Sequence, residues 1–266
     1  MGKYINRIID KYKKTGEKAL LVYFALRILV IICMILQILR GDWNNAFLCI
    51  LSLILFTIPS LIEEKLKIDI PTVLEATIYL FIFAAEILGE INNFYGIIPH
   101  WDSILHTING FLAAGIGFSL IDLLNQSSKS INLSPIFVAI VAFCFSMTIG
   151  VAWEFFEYGV DRYLKFDMQK DVIVSNFSSV ELDPDKSNKA IQVKDIDKTI
   201  ITLSDGTEVV IDGGYLDIGL NDTMKDLIVN FIGAFIFSCI GFLYIQNRDK
   251  YKFATHFIPR REKNEK

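Results

Sequence analysis

Six stretches of this chain run nearly uncharged over membrane-crossing lengths: Ala19–Leu39, Trp43–Ile62, Ile70–Ile91, Ile104–Leu124, Pro135–Tyr158 and Leu227–Ile245, the last reaching back toward Thr223. Most approach the roughly 20 residues with which an α-helix crosses about 30 Å of hydrocarbon. Lipid offers the backbone no hydrogen bonds, so such segments must pair their N–H and C=O groups internally, as helices. Composition agrees, since 53% hydrophobic residues and a mean hydropathy of +0.43 are too apolar for an ordinary soluble domain of 266 residues. The expected fold is an all-α polytopic membrane protein with six transmembrane helices and a small extracytoplasmic β-containing insertion. The first apolar run is full length and shows no small-residue cleavage site, so it reads as a span rather than a signal peptide.

Charge distribution supplies an orientation. Lys3, Arg7, Lys11, Lys13, Lys14 and Lys18 precede the first span, and Arg248, Lys250, Lys252, Arg260, Arg261, Lys263 and Lys266 follow the last. Lys65, Lys67 and Lys129 fall in loops on the same side, whereas Arg40 stands opposite. The positive-inside rule places both termini in the cytoplasm. Residues 159–221 then lie outside, with 12 acidic against 7 basic residues. The chain thus divides into five helices in 1–158, an extracytoplasmic insertion 159–221, a sixth helix 222–247 and a basic cytoplasmic tail 248–266. The basic residues carry no interleaved aromatic motif, so they read as headgroup contacts and not as a nucleic-acid surface.

Ionisable residues inside or beside spans cost several kcal/mol to hold in lipid, and so face protein, pair, or bind ions. Here they recur at helical spacing. Asp102 and His106 are four apart, Glu154 and Glu157 three, and Asp222, Asp226 and Asn230 four and four, so each set shares one helix face. The topology brings all three sets to the outer end of their helices, with Glu86 and Glu90 on the same side. One polar chamber opening outward, floored by Asn230, is the simplest arrangement.

Structural roles compete with this reading. Asp102 and Asp222 are suited to capping helix N-termini, where a carboxylate accepts orphan N–H bonds and opposes the dipole. Capping does not account for His106, Glu154 or Asp226. Glu157 is equally suited to reach headgroups, and Arg27 and Glu75 read as an intramembrane pair or as snorkelling side chains. Cys33, Cys49, Cys144 and Cys239 lie in spans without CxxC spacing, which indicates neither disulfides nor a zinc knuckle. Gly110, Gly115 and Gly117 suit close helix packing. No GxGxxG, Walker loop, serine elbow or HExxH occurs.

Within the insertion, residues 190–193 and 199–203 look like strands. Asp205-Gly206 before residues 207–211 signals a hairpin. Residues 175–189, with Asp183-Pro184, read as a loop.

The segments Trp101-Asp102-Ser103-Ile104-Leu105-His106 with Gly110, Trp153-Glu154-Phe155-Phe156-Glu157-Tyr158, and Asn221-Asp222-Thr223-Met224-Lys225-Asp226 followed by Asn230 and Gly233-Ala234 resemble, in that order, the YjdF-like family of bacterial inner-membrane proteins. The resemblance covers roughly the C-terminal two-thirds, apart from much of the insertion. A looser similarity links Asp102/His106, Glu154 and Asp226/Asn230 to VanZ-like proteins. The segment before Asp222 is longer than in that family. The resemblance implies a multi-pass protein of the bacterial cytoplasmic membrane and a shared site, not a substrate.

Three functions fit these residues. Asp102, His106, Glu154, Asp222 and Asp226 suit a divalent cation that activates water or neutralises phosphate, on a membrane lipid or a lipid-linked envelope precursor. The same groups suit a cation- or proton-coupled transporter. A scaffold whose polar core fixes helix packing is the third.

Overall fold

The computed structural model describes residues 17–127 and 133–261. Lys3, Arg7, Lys11, Lys13, Lys14, Lys129, Lys263 and Lys266 of the basic flanks lie outside them. Among the described residues six helical stretches are long and apolar enough to span: Leu21–Arg40, Trp43–Lys65, Thr72–Ile91, Trp101–Asn125, Pro135–Leu164 and Leu220–Gln246. The fold is mostly helical, with small antiparallel strand pairs. It forms two compact units, one of Met1–Gly150 with Leu227–Lys266 and one of Val151–Asp226.

In the first unit, α1 (Glu17–Arg40) stops where Gly41 takes φ +75°. Asp42 then opens α2 (Trp43–Leu55) by accepting the Asn45 N–H at 3.1 Å, which satisfies an orphan donor of the first turn. The chain re-enters helix as α3 (Ile58–Leu66) with Pro59 in its first turn, where a missing N–H costs nothing. Left-handed Lys67 ends α3, and β1 (Ile68–Asp69) pairs antiparallel with a strand at Arg260–Arg261. Pro71 delays α4 (Thr72–Ile82) past the expected Ile70, because a residue before proline avoids the helical region. The third span finishes as a π-helix, Phe83–Ile91, which hydropathy does not reveal.

After the short α5 (Phe94–Ile97) come α6 (Trp101–Ser127), α7 (Pro135–Leu164) and α8 (Leu220–Gln246). All three extend beyond their apolar stretches and take the polar motifs into regular helix, since helical hydrogen bonding does not stop where hydropathy falls. The stretch in α6 is 56% buried against 22–39% for the others, which makes α6 the central helix.

Outward faces are apolar, as lipid requires: Phe24, Ile28 and Ile35 of α1 and Phe47 and Ile54 of α2 are exposed. One core joins Tyr23, Leu26, Val30, Cys49, Phe56 and Tyr79. Here Arg27 lies over the Tyr23 ring at 4.5 Å, and Glu75 accepts the Tyr79 hydroxyl at 2.8 Å. A second core joins Ala114, Phe118, Val138, Ala142, Phe237, Tyr244, Ala254 and Ile258. Residues 248–261, expected as a tail, pack into this unit: Arg248 meets Asp122 at 2.7 Å, and the Phe257 ring sits 5.3 Å from Phe111.

The second unit holds the end of α7, three antiparallel strand pairs and the start of α8. Strand β2 (Val172–Val174) pairs with β7 (Tyr215–Asp217), β3 (Phe177–Ser179) with β4 (Ile191–Val193), and β5 (Lys198–Thr202) with β6 (Glu208–Asp212). The Asp205-Gly206 hairpin is as expected, with Gly206 at φ +84° and Asp205 accepting the Thr207 N–H at 2.9 Å. β3 falls inside the expected 175–189 loop, and β2 and β7 are likewise additional. These strands are three residues long, too short for alternation to register. The rest of that loop is organised by buried Asp183, whose carboxylate accepts the Ser187 hydroxyl and N–H, both at 2.7 Å, and the Asp185 and Lys189 N–H groups at 3.2 Å.

Candidate functional site

In the first unit, the start of α6 is fixed by Trp101, whose indole N–H donates to the Ala84 carbonyl of the π-helix at 3.3 Å while its ring meets Phe94 edge-on at 5.1 Å. This holds Asp102 in the first turn, where the helix dipole favours a negative charge. One turn on, buried His106 places Nε2 3.4 Å from the Asp102 carboxylate. That contact orients the ring.

Further along α6 lies a tight crossing. Asn230 of α8 is 1% exposed and accepts from the Asn109 amide at 3.3 Å while donating to Met147 Sδ of α7 at 3.6 Å. A Cβ at Gly110 would collide with the Asn230 carbonyl, one at Gly233 with the Thr107 carbonyl, and one at Gly150 would stand 2.6 Å from Asn230 Nδ2. Ser146 adds a bond to the Gly110 carbonyl at 2.7 Å. α6 and α8 run parallel, since they also meet further on through Asp122 and Arg248. The short connection from Ser127 to Pro135 makes α7 antiparallel to α6. Gly110 has the packing role expected of it. Asn109, Ser146 and Gly150 escape a search for ionisable groups because they are neutral or lack a side chain; their signal is only the face and level they share with Asn230.

In the second unit, Glu154 and Glu157 are 4% and 7% exposed and bring carboxylate oxygens within 4.8 Å of each other. The Trp153 indole donates to Glu157 at 2.7 Å, which holds that side chain inward rather than toward headgroups. Two buried carboxylates this close repel when both are ionised. At the start of α8, Asp222 accepts the Lys170 N–H at 2.9 Å and meets Lys225 Nζ at 3.0 Å. Asp222 therefore ties the insertion to the first turn of α8. Asp226, 1% exposed, lies 3.7 Å from the same ammonium.

Six apolar helices with inward carboxylates, an imidazole and an amide define an integral membrane protein. The chain belongs to the family described as "Predicted membrane protein (DUF2238)", whose model matches residues 19–247. That match agrees with the YjdF-like resemblance of the three motifs, whereas the VanZ-like similarity rests on motif positions alone. No curated protein and no solved structure matches the chain.

Proposed function

We propose that His106, Glu154 and Asp226 converge into one divalent-cation centre, flanked by Asp102 and Glu157 and floored by Asn230. The crossing at Asn230 carries this reading. From it, His106 lies nearly one turn back along α6 from Asn109, Asp226 one turn back along α8, and Glu154 one turn forward along antiparallel α7 from Gly150. The steps are about 4.5 Å along α6 and about 6 Å along α7 and α8 at 1.5 Å per residue, in a common direction, from helices already in contact. The donor set of carboxylates and one imidazole suits hard or borderline divalent ions. The Asp102–His106 contact is the carboxylate–histidine arrangement that steadies a metal-binding ring.

The basic flanks support a bacterial cytoplasmic membrane with both termini inside and the centre facing out. There the centre is suited to a lipid or envelope-precursor headgroup. Transport is the weaker reading. Beyond Asn230 the rings of Phe111, Phe237, Phe118 and Tyr244 pack between α6 and α8 at separations of 5.0, 6.0 and 6.4 Å, which narrows any passage there.

Metal analysis of the purified protein tests the centre. About one bound divalent ion per chain is expected, reduced in His106→Ala and in Asp226→Asn with the melting temperature largely kept. Wild-type protein that holds no metal after purification and titration rejects the cation. Variants that lose stability without changing metal content favour the scaffold.

A further inference from the structure

Two cysteines that no sequence motif links meet across the first helical hairpin. Gly41 and Asp42 alone separate α1 from α2, so these helices run antiparallel. Outward from that turn, Gln37 falls level with Ala46, Cys33 with Cys49, Val30 with Ser52 and Leu26 with Phe56. Cys33 is half-buried and the others are buried, so these are the faces that the two helices turn toward each other. Ala46, Cys49 and Ser52 are small, which lets the backbones come close. The Cys33 and Cys49 thiols lie within hydrogen-bonding reach of each other, and buried Gln37 donates its amide to Cys33 Sγ at 4.0 Å.

The pair is asymmetric. Cys49 is 0% exposed, whereas Cys33 stands at the edge of the packed face beside exposed Ile32 and Leu36. Cys33 lies about 10 Å from the nearer end of the span Leu21–Arg40 at 1.5 Å per residue, a depth at which charge is costly. A reaction partner must therefore be uncharged and arrive through the hydrocarbon. The Gln37 amide favours the thiolate of Cys33, which is the nucleophilic form, and Cys49 beneath it is placed to resolve the product. We propose that Cys33 and Cys49 are a dithiol–disulfide couple that reduces a lipid-soluble quinone. Two S–H bonds break and one S–S bond forms, while two electrons and two protons pass to the quinone, which leaves as the quinol. Cys33 meets the quinone first, and Cys49 then attacks the Cys33 sulfur. The couple uses none of the residues of the cation centre.

The test places the full chain in lipid nanodiscs under argon, which excludes dioxygen as the acceptor, and adds decylubiquinone. Quinol is followed by absorbance, and peptides are mapped by mass spectrometry without reduction. A link between Cys33 and Cys49 is expected, with quinol formed in equal amount. Cys33→Ser or Cys49→Ser should abolish both, and Cys144→Ser combined with Cys239→Ser should leave both unchanged. A link that is absent even with diamide, or that joins Cys144 or Cys239 instead, overturns the pairing. A link formed by diamide but not by decylubiquinone overturns the quinone. The wild-type peptide map decides the matter even if a cysteine variant fails to fold.

Discussion

Gly110 of α6 lies directly against the main-chain carbonyl of Asn230 in α8, with no space for a methyl group between the helices. A backbone carbonyl cannot swing away as a side chain can. Gly110→Ala should therefore destabilise the protein by about 1–3 kcal/mol through overpacking. Gly159, in the exposed end of α7, has nothing within 4 Å of its Cβ position. Gly159→Ala should instead be neutral or stabilise by about 0.5–1 kcal/mol, because it restricts the unfolded chain. Thermal unfolding of both variants in one detergent checks the opposite signs.

The loop around Asp183 should loosen in acid. The Ser187 hydroxyl, with the N–H groups of Lys189, Ser187 and Asp185, holds the Asp183 carboxyl below the usual carboxylate range. A carboxylate favoured in the folded state contributes its full stabilisation above the unfolded value of about 3.9, and loses it as pH falls through the lower folded value. Amide protection at Asp185, Ser187 and Lys189 should stay level from neutral pH to about 4 and then drop. Asp183→Asn should weaken protection already at neutral pH and abolish the acid step. A step that persists in Asp183→Asn assigns it to another group.

Orientation is open to labelling. Ser204 is exposed in the β5–β6 turn, while Cys33, Cys49, Cys144 and Cys239 all lie in apolar helices. A membrane-impermeant maleimide should modify Ser204→Cys from outside intact spheroplasts, with a terminal tag protected until lysis. Labelling only after lysis inverts the proposed topology.

The buried carboxylate pair offers a further measurement. Glu154 and Glu157 approach within 4.8 Å. If a cation screens their repulsion, a chelator should lower the melting temperature of wild-type protein, and Glu154→Gln should weaken that dependence by removing one charge. A chelator shift unchanged in Glu154→Gln places the stabilising ion elsewhere.

Hydropathy located all six spans and helical spacing grouped the polar residues, because lipid imposes both rules directly on sequence. The boundaries were less legible. Trp101, Asp102 and Asp222 belong to their helices although an apolar window excludes them, and Pro71 moved a start that hydropathy set at Ile70. The inward direction of Glu157 depends on Trp153, one turn away, and was not decided by spacing. Asn109, Met147 and Gly150 surround Asn230 through contacts between helices far apart in the chain, which no local pattern encodes. The π-helix at 83–91 has the same apolar composition as an α-helix and left no trace.

The pairing of Ile68 with Arg261 and of Asp69 with Arg260 joins segments separated by most of the chain. During synthesis the turn between α3 and α4 must wait, its strand edge unmatched, until the segment following α8 has emerged from the ribosome. Assembly of the first unit is thus completed late and over a long loop, where closure is slow. Until then, nascent protein exposes this edge to other chains.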